Sequence, residues 1–277
     1  MKLLRVGAKG QEKVAALDKD SKIRDLSSVI KDLNPDTLNF KNLNNLQKIV
    51  LEKLPEIKST RIGAPVNRPG DFLAIGLNYK AHAQGTGSEV KSEPIVFNKS
   101  TGCILGPNDA VKKPKSSNKL DHEIEVAIVI GKEGKYITKE KALDHIFGFC
   151  ICNDYSERDW QKNRNGQWIK GKSIAGNLGP YLVTKDEISN LYDLKLQLSL
   201  NGKKRQEGNT NQLIFNFEYL VSYLSHFFKL FPGTIITSGT PSGTIMEDEN
   251  PIFLKSGDEL TLAITHLGEQ KQVIVDE

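Results

Sequence analysis

Three acidic residues at alternate positions, Asp121, Glu123 and Glu125, lead into an apolar run that ends at Ile130. Alternate side chains of a β-strand point to one face, so these carboxylates would lie together. Like charges on one face repel each other unless a cation lies among them. A hard divalent cation such as Mg²⁺ or Mn²⁺ prefers carboxylate oxygens and would meet that need. A half-exposed strand with a solvated acidic face is the alternative that this pattern leaves open.

A second apolar run favours the metal site over that alternative. Residues 146–152 predict a strand, and Asn153 and Asp154 follow it directly. If this strand lies beside the first one, Asp154 supplies a further carboxylate at the end of a neighbouring strand. The segments 154–161 and 170–173 then add Arg, Lys and amide side chains. Such groups suit the recognition of a carboxylate or an enolate, although a charged surface loop is a common alternative.

His82 is a candidate general base. It lies within residues 79–89, which carry glycines and polar residues and follow the strand-like residues 72–75. Such a composition is typical of a mobile loop or lid. A loop histidine above a metal site can take a proton from water or substrate. His145 and His226 lie in apolar surroundings, which indicates structural roles for them.

Residues 166–173 match the formal pattern of a phosphate-binding P-loop, GxxxxGK[ST]. A functional P-loop needs a buried strand before it and a helix after it, because the helix N-terminus faces the phosphates. The preceding residues 156–165 are too polar for that strand, and Gly176, Gly179 and Pro180 would prevent the helix. We therefore do not expect nucleotide binding.

The chain divides near residue 68, where Pro65, Pro69 and Gly70 interrupt it. Residues 1–68 predict a small N-terminal α+β region, with short strands and an amphipathic helix over about residues 43–50. Residues 69–277 predict a domain of many short strands. Asn201-Gly202 predicts a hairpin turn, and residues 255–258 predict a turn before another strand.

One longer helix is predicted by apolar residues that recur at helical spacing before Pro232-Gly233. They are Phe217, Leu220, Val221, Leu224, Phe227, Phe228 and Phe231. This continuous apolar face predicts packing against the core rather than a ligand groove.

The composition describes an ordinary globular protein. Among 277 residues, 38 Lys and Arg face 34 Asp and Glu, which gives a net charge of +4 with interspersed signs. Nucleic-acid binders usually cluster their basic residues, so we expect no nucleic-acid partner. No run approaches the roughly 18 apolar residues of a membrane span, and the first residues lack the apolar core of a signal peptide. The 3 cysteines form no disulfide or zinc pattern, so we expect a cytoplasmic protein without a membrane partner.

Ordered motifs over about residues 65–277 resemble the fumarylacetoacetate hydrolase family, in particular its bacterial branch of ureidoglycolate lyases and 2,4-diketo-3-deoxy-L-fuconate hydrolases. The first motifs are Gly76-Leu-Asn-Tyr79, Glu93-Pro-Ile-Val-Phe-Asn-Lys99, Glu123-x-Glu125, Ile130-Gly-Lys132 and Asn153-Asp-Tyr-Ser-Glu-Arg158-Asp-Trp-Gln161. The later ones are Gly166-Gln-Trp168, Lys170-Gly-Lys-Ser173, Gly179-Pro180, Asn201-Gly202, Ser238-Gly-Thr-Pro241 with Gly243, and Phe253-Leu-Lys-x-Gly-Asp258.

The resemblance implies a β-rich α+β fold, namely the mixed β-sandwich or β-roll of that family's C-terminal domain, and a homodimer. It also implies a bound divalent metal, usually Mg²⁺, with Mn²⁺ and Ca²⁺ as alternatives. The implied metal ligands are Glu123, Glu125 and Asp154. The implied substrate-binding residues are Lys99, Arg158, Gln161 and Thr240. The implied catalytic residues are His82 and Lys172.

The resemblance further implies a reaction, the hydrolysis of a C–C bond in a small 2,4-dioxo acid. Acylpyruvates and 2,4-diketo-3-deoxy sugar acids are the implied substrate types. In that family the metal acts as a Lewis acid on the 2-oxo acid end, and a His–Glu pair on the lid activates water. The leaving enolate is stabilised by the metal and a lysine, here Lys172.

Two departures from the family pattern bear on this activity. Active hydrolases of the family commonly have Glu three residues after the lid histidine, where this chain has Gly85. The sequence therefore predicts that His82 lacks its orienting carboxylate, since Glu89 has the wrong spacing. The segment 173–180 is shorter than in the family and has no acidic residue, which predicts a reshaped pocket.

Chemistry that needs no activated water stays open as an alternative at the same enolate site. It would be metal-dependent decarboxylation of a 2-oxo acid or keto–enol isomerisation. A catalytically impaired member of the family that binds a metal and a carboxylate is the third hypothesis.

Overall fold

The computed structural model describes residues 1–58, 61–163 and 168–277. The strands of these ranges are β1 (Lys2–Val6), β2 (Lys13–Leu17), β3 (Ile23–Asp25), β4 (Ile62–Gly63), β5 (Phe72–Gly76), β6 (Ile95–Asn98), β7 (Ile104–Leu105), β8 (Val111–Lys113), β9 (Leu120–Asp121), β10 (Ile124–Ile130), β11 (Ile146–Asp154), β12 (Ser156–Glu157), β13 (Gly176–Thr184), β14 (Lys195–Leu200), β15 (Lys203–Asn209), β16 (Ile235–Thr237), β17 (Glu259–Ile264) and β18 (Gly268–Asp276). The α-helices are α1 (Phe40–Leu46), α2 (Lys80–Gly85), α3 (Lys139–Ala142), α4 (Arg158–Asn163), α5 (Trp168–Lys172) and α6 (Phe217–Phe227). None of the helices in these ranges is long and apolar enough to cross a membrane.

Two large sheets form the architecture of the described ranges, and β9 and β12 pair as a separate two-stranded sheet. The larger sheet has the order β3-β2-β1-β13-β11-β10-β16-β5-β6, and the smaller has the order β15-β14-β17-β18-β8. Most neighbours are antiparallel, but β16 pairs with β5, β18 with β8, and β7 with β13 in parallel. The mixed, β-rich fold that the sequence predicted is confirmed.

The central strands β10 and β11 form a fully buried platform. Every residue of both strands is buried, as expected for continuous apolar runs rather than alternating ones. Ile124, Val126 and Ile128 enter one hydrophobic cluster, while Ala127 and Val129 enter a second cluster on the other face. Packing on both faces holds the ends of these strands in fixed positions.

The N-terminal region extends the same large sheet. Strand β1 pairs with β13, with Lys2 opposite Val183. Leu3 and Val14 belong to the same hydrophobic cluster as Phe72. The region therefore shares both a sheet and a core with the rest of the chain, and the domain boundary at residue 68 stays a prediction.

The two predicted turns are confirmed. Asn201 and Gly202 join β14 to β15 with φ angles of 51° and 76°. Positive φ at both central residues is the requirement of a type I′ hairpin turn, which explains the Asn-Gly pair. Before β17, the backbone N–H of Lys255 donates to the Asp258 carboxylate over 2.9 Å.

The predicted apolar helix face is only partly buried. Phe217, Leu220, Val221 and Leu224 are buried in the core. Phe227, Phe228 and Phe231 are 63%, 36% and 48% exposed. The prediction that the whole face packs in the core is wrong for these three, because α6 ends at Phe227 and the backbone is extended at Phe228.

Candidate active site

The adjoining ends of β10 and β11 bring three buried carboxylates together. In the antiparallel pairing Ile124 lies opposite Asn153, so Asp154 reaches the start of β10. One oxygen of each of Glu123, Glu125 and Asp154 lies within 4.8 Å of the others. The structure therefore places together the ligand set that the family resemblance implies.

Asp121 does not join this cluster. Strand β9 ends at Asp121 and β10 begins at Ile124, so no continuous strand links them. Asp121 Oδ2 instead accepts from Arg158 Nη2 over 2.7 Å and from Nε over 2.9 Å. The prediction that Asp121 shares a strand face with Glu123 and Glu125 is wrong because of this break in the strand.

Two buried cations neutralise one side of the cluster. Lys172 Nζ lies 2.5 Å from Glu123 Oε2 and 3.1 Å from Asp154 Oδ2. Arg158 Nη2 lies 2.7 Å from Glu123 Oε1. Burial alone would raise the pKa of Glu123, but Lys172 and Arg158 hold it below its usual range.

Glu125 has no such partner. Its Oε2 accepts from the backbone N–H of Gly239 over 2.8 Å, and the carboxylate forms no ion pair within the described ranges. Burial first, and then the neighbouring Asp154 and Glu123, raise the pKa of Glu125 well above its usual value. A cation among the three carboxylates would relieve this repulsion.

The donor set fits a hard divalent cation. It consists only of carboxylate oxygens, which are the ligand atoms that Mg²⁺, Mn²⁺ and Ca²⁺ prefer. Ligands of Mg²⁺ lie up to roughly 4.2 Å apart, and those of Ca²⁺ up to roughly 5 Å apart. The observed span of up to 4.8 Å is compatible with either ion after small side-chain adjustments. Glu123, Glu125 and Asp154 are the residues that would hold it.

Lys99 lies behind this cluster and does not line the cavity. Its fully buried ammonium donates to Asp154 Oδ1 over 2.5 Å, to the Lys172 carbonyl oxygen, and to the Ala175 carbonyl oxygen over 3.2 Å. Burial would lower the pKa of Lys99, but Asp154 raises it overall. The structure does not bring Lys99 to the substrate side, because all three of its donors are used within the protein.

The two cationic residues lie on short helices, Arg158 on α4 and Lys172 on α5. A Cβ on Gly171 of α5 would lie 2.7 Å from the Cα of Gln161 in α4, so only glycine permits this approach. This packing directs Lys172 into the site and accounts for the glycine of the P-loop-like pattern. Gly166 and Gln167 of that pattern lie outside the described residues. After Lys172 the chain enters β13, and no helix follows as a P-loop would require.

His82 pairs with a carboxylate that the sequence analysis missed. Its Nδ1 lies 2.7 Å from Oε1 of Glu247, 165 residues further along the chain. The same oxygen accepts from Thr244 Oγ1 over 2.8 Å and from the backbone N–H of Gly243 over 3.2 Å. Burial would raise the pKa of Glu247, but the hydrogen bond from His82 lowers it overall. The prediction that His82 lacks an orienting carboxylate is wrong, because Glu247 supplies it from another segment.

Gly85 makes room for Glu247. A Cβ on Gly85 would lie 2.9 Å from Glu247 Cδ and closer still to Oε2. A side chain at position 85 is therefore incompatible with Glu247 in its present place. The sequence did hold one signal, since Thr244-Ile-Met-Glu247 fits the T-x-x-E capping box that the structure forms. That signal locates the glutamate but not its partner.

A buried hydrogen-bond chain fixes Thr240 in the cavity wall. Gln206 Nε2 donates to Thr240 Oγ1 over 2.8 Å, and Gln206 Oε1 faces His122 Nδ1 at 3.0 Å. His122 Nδ1 therefore carries its proton. Thr240 Oγ1 in turn donates to the Ile124 carbonyl oxygen over 2.9 Å. Because its proton is used within the protein, the Thr240 hydroxyl can only accept a hydrogen bond from a ligand.

One cavity joins these groups. Of the residues implied by the resemblance, it is lined by His82, Glu123, Glu125, Arg158, Gln161, Lys172 and Thr240. Residues without an implied role complete the wall, among them Ile75, Leu77, Ser88, Lys162, Trp168 and Met246. Asp154 lies beneath it, in contact with Lys172.

The fold and the site define an enzyme. A buried carboxylate cluster suited to a divalent cation and a His–Glu pair share one cavity. Residues 71–275 match the family model described as fumarylacetoacetate (FAA) hydrolase C-terminal, and the chain belongs to the fumarylacetoacetate hydrolase family.

Known proteins resemble the chain over nearly its full length. A protein of Burkholderia ambifaria with the name "Putative hydrolase" is 46% identical over 276 residues, covering 98% of each chain. A solved fumarylacetoacetate hydrolase of Exiguobacterium antarcticum is 27% identical with a TM-score of 0.86, covering 100% of both chains. A solved "probable 2-hydroxyhepta-2,4-diene-1,7-dioate isomerase" of Mycobacterium abscessus is 30% identical with a TM-score of 0.85, covering 100% of this chain and 99% of that one.

Proposed function

We propose that the chain is a divalent-metal-dependent hydrolase that cleaves a C–C bond in a small 2,4-dioxo acid. Acylpyruvates or 2,4-diketo-3-deoxy sugar acids are its substrate types. The observation that carries the proposal is the 2.7 Å contact of His82 with Glu247 at the cavity that Glu123 and Glu125 also line. A water-activating pair and an enolate-stabilising site are the two parts that this hydrolysis needs.

The residues of the chain account for the steps. A Mg²⁺ or Mn²⁺ ion held by Glu123, Glu125 and Asp154 would supply Lewis-acid chemistry at the 2-oxo acid end. His82, with Nδ1 held by Glu247, takes a proton from water through Nε2. The water oxygen bonds to the C4 carbonyl carbon, the C3–C4 bond breaks, and its electron pair becomes the pyruvate enolate.

Lys172 stabilises that enolate as a point charge. The proton taken up by His82 returns to C3, so the products are pyruvate and a carboxylic acid. Arg158, Gln161 and Thr240 position the substrate. Lys99 acts through Asp154 and the end of α5, as a positioning residue rather than a substrate ligand.

Decarboxylation of a 2-oxo acid or keto–enol isomerisation at the same enolate site is the second candidate. The isomerase name of the Mycobacterium abscessus neighbour favours it. This chemistry needs Lys172 and the metal but no activated water. Decarboxylation leaves the His82–Glu247 pair without a use, and the same pair argues against a catalytically impaired protein.

A panel assay tests the proposal. Purified protein with Mg²⁺ or Mn²⁺ is given acylpyruvates, 2,4-diketo-3-deoxy sugar acids and oxaloacetate, and pyruvate release is measured. We expect hydrolysis of an acylpyruvate, which His82→Ala lowers at least about 100-fold while sparing oxaloacetate decarboxylation. Equal loss of both activities would assign His82 a structural role. Turnover of oxaloacetate alone by the unaltered protein would favour the second candidate.

We also propose a homodimer in the cytoplasm that binds only small molecules. The family resemblance supports the dimer, and the cysteine usage supports the compartment. Light scattering on a size-exclusion column measures the mass directly, and a 31 kDa species would contradict the dimer.

Gly85→Ala is expected to lower hydrolysis about tenfold or more without lowering the melting temperature. Alanine favours the end of α2, but its Cβ forces Glu247 away from His82. Gly70→Ala is the matched control, because a Cβ there meets no atom within 4 Å. Full activity of Gly85→Ala would show that Glu247 has no role at His82.

A further inference from the structure

We propose that Asp121 is a positioning residue for hydrolysis, which fixes the His82–Glu247 pair relative to the buried carboxylate cluster. Asp121 lies outside the cavity wall, so it acts through its neighbours and not on the substrate. The inference rests on the proposed function and adds a residue to it. A single carboxylate would then join the two halves of the reaction, the turn that carries Glu247 and the guanidinium beside the cluster.

The carboxylate of Asp121 holds the turn that carries Glu247. Its Oδ1 accepts from the backbone N–H of Ile245 over 2.9 Å, and its Oδ2 accepts from the backbone N–H of Met246 over 3.1 Å. These two residues begin the 3₁₀ turn that ends at Glu247, and the first N–H groups of such a turn have no partner within it. A charged acceptor forms a strong hydrogen bond with them. Asp121 therefore fixes the backbone from which Glu247 reaches His82.

The same carboxylate holds the guanidinium of Arg158. Asp121 Oδ2 accepts from Nη2 of Arg158 over 2.7 Å and from its Nε over 2.9 Å. That Nη2 atom also lies 2.7 Å from Oε1 of Glu123, a member of the carboxylate cluster. A planar guanidinium that is held through two nitrogens cannot turn without breaking a bond. Asp121 thus ties the turn of Glu247 to a side chain in direct contact with the cluster.

Asp121 is itself held in place by its surroundings. It is fully buried, and β9 pairs it with Ser156 of β12. Its Oδ1 also accepts from the backbone N–H of His122 over 2.8 Å. Because the backbone and the side chain of Asp121 are both fixed, a displacement of the Glu247 turn breaks its hydrogen bonds to Asp121. The position of the turn relative to the cluster is therefore set by this residue.

Asp121→Asn separates the two contacts. Asparagine accepts through one oxygen only, and its NH₂ group donates. The side of Oδ2 carries the charged donors of Arg158 together with Met246 N–H, whereas the side of Oδ1 carries backbone N–H groups alone. We therefore expect the asparagine oxygen to face Arg158 and its NH₂ group to face the N–H of Ile245. The turn of Glu247 then loses a partner, while Arg158 keeps its acceptor.

Kinetics with two substrates measure the effect. We expect Asp121→Asn to lower kcat for acylpyruvate hydrolysis about tenfold with KM little changed, the loss typical of one hydrogen bond to a charged group. Oxaloacetate decarboxylation, which does not need the His82–Glu247 pair, should be retained. In a Glu247→Gln background Asp121→Asn should cause no further loss, because Asp121 acts through Glu247. Equal loss of both activities, or losses that multiply in the double variant, would overturn the inference.

Asp109→Asn is the matched control. The Asp109 carboxylate likewise accepts from Nε and Nη2 of an arginine, Arg61, over 2.9 Å and 2.8 Å, and from the backbone N–H of Gly106 over 2.8 Å. It does not line the cavity of the site. The same chemical change at this position should leave both activities unaltered. A selective loss of hydrolysis in Asp109→Asn as well would contradict a specific role for Asp121.

Nuclear magnetic resonance separates this inference from the proposed function. With isotope-labelled histidine, the proton on Nδ1 of His82 that bonds Glu247 should exchange slowly with water in the unaltered protein and faster in Asp121→Asn. The comparison needs no substrate, so it is valid even if no acylpyruvate is hydrolysed. An Nδ1 proton that Asp121→Asn leaves equally protected overturns the inference and leaves acylpyruvate hydrolysis standing.

Amide hydrogen exchange tests the contact without any variant. The N–H groups of Ile245 and Met246 should exchange slowly in the unaltered protein, because a buried carboxylate binds both. Fast exchange of both amides in the folded protein would show that Asp121 does not hold the turn. That result would overturn the inference even if Asp121→Asn failed to fold.

Discussion

Glu247→Gln is expected to lower acylpyruvate hydrolysis at least about 100-fold while oxaloacetate decarboxylation is retained. Glutamine keeps the shape of the side chain and can still accept the Nδ1 hydrogen of His82. It removes the negative charge that stabilises the imidazolium formed when His82 takes a proton from water. Decarboxylation needs no such proton transfer, so only acylpyruvate hydrolysis should be lost. Pyruvate release from the two substrates measures the difference.

A double substitution shows whether the two residues act as one unit. His82→Ala combined with Glu247→Gln should be no slower than His82→Ala alone, because a carboxylate has nothing to orient once the base is gone. Asp248→Asn is the neighbouring control, since that carboxylate instead bonds Arg205 at 2.7 Å near the surface. Losses that multiply in the double variant would show that Glu247 acts independently of His82.

Glu125→Gln is expected to abolish the rise in melting temperature that Mg²⁺ or Mn²⁺ causes. An ion at about 100 times its Kd stabilises a protein by about 2.7 kcal/mol, which corresponds to roughly 5–10 °C for a chain of this size. Removing one of three carboxylate ligands removes most of that affinity. The same change should raise the melting temperature of the metal-free protein, because it relieves the repulsion among three buried acids.

These opposite shifts distinguish a lost ligand from a damaged fold. Glu140→Gln, which alters an exposed acid of α3, should leave both the metal-free temperature and the metal response unchanged. Thermal unfolding with EDTA and with added metal gives all the values needed. A Glu125→Gln protein that still responds fully to metal would disprove the ligand assignment.

The three carboxylates of the site could be predicted, because their positions follow from the local sequence pattern of two strands. Glu123 and Glu125 introduce a buried strand, and Asp154 ends the next one, so pairing of the two strands brings them together. Asp121 follows the same alternation but lies before a break in the strand. Strand periodicity cannot reveal such a break, because the hydrogen bonds from Arg158 that hold Asp121 come from a distant segment.

Long-range partners account for the other errors. Glu247 lies 165 residues from His82, and neither the capping box nor Gly85 alone indicates that the two meet. Lys99 is implied as a substrate ligand by resemblance, yet its place behind Asp154 depends on the packing of α5. The exposure of Phe227 and Phe231 depends on where α6 ends, and helix ends are poorly fixed by periodicity.

Because its two members belong to different parts of the chain, the His82–Glu247 pair depends on how α2 packs against the segment after β16. His82 lies on α2, whereas Glu247 lies on the segment after β16. If both lay on α2 they would travel together, but here any outward movement of α2 separates the base from its carboxylate. The His82–Glu247 contact is therefore intact only while α2 keeps its present place against the segment after β16.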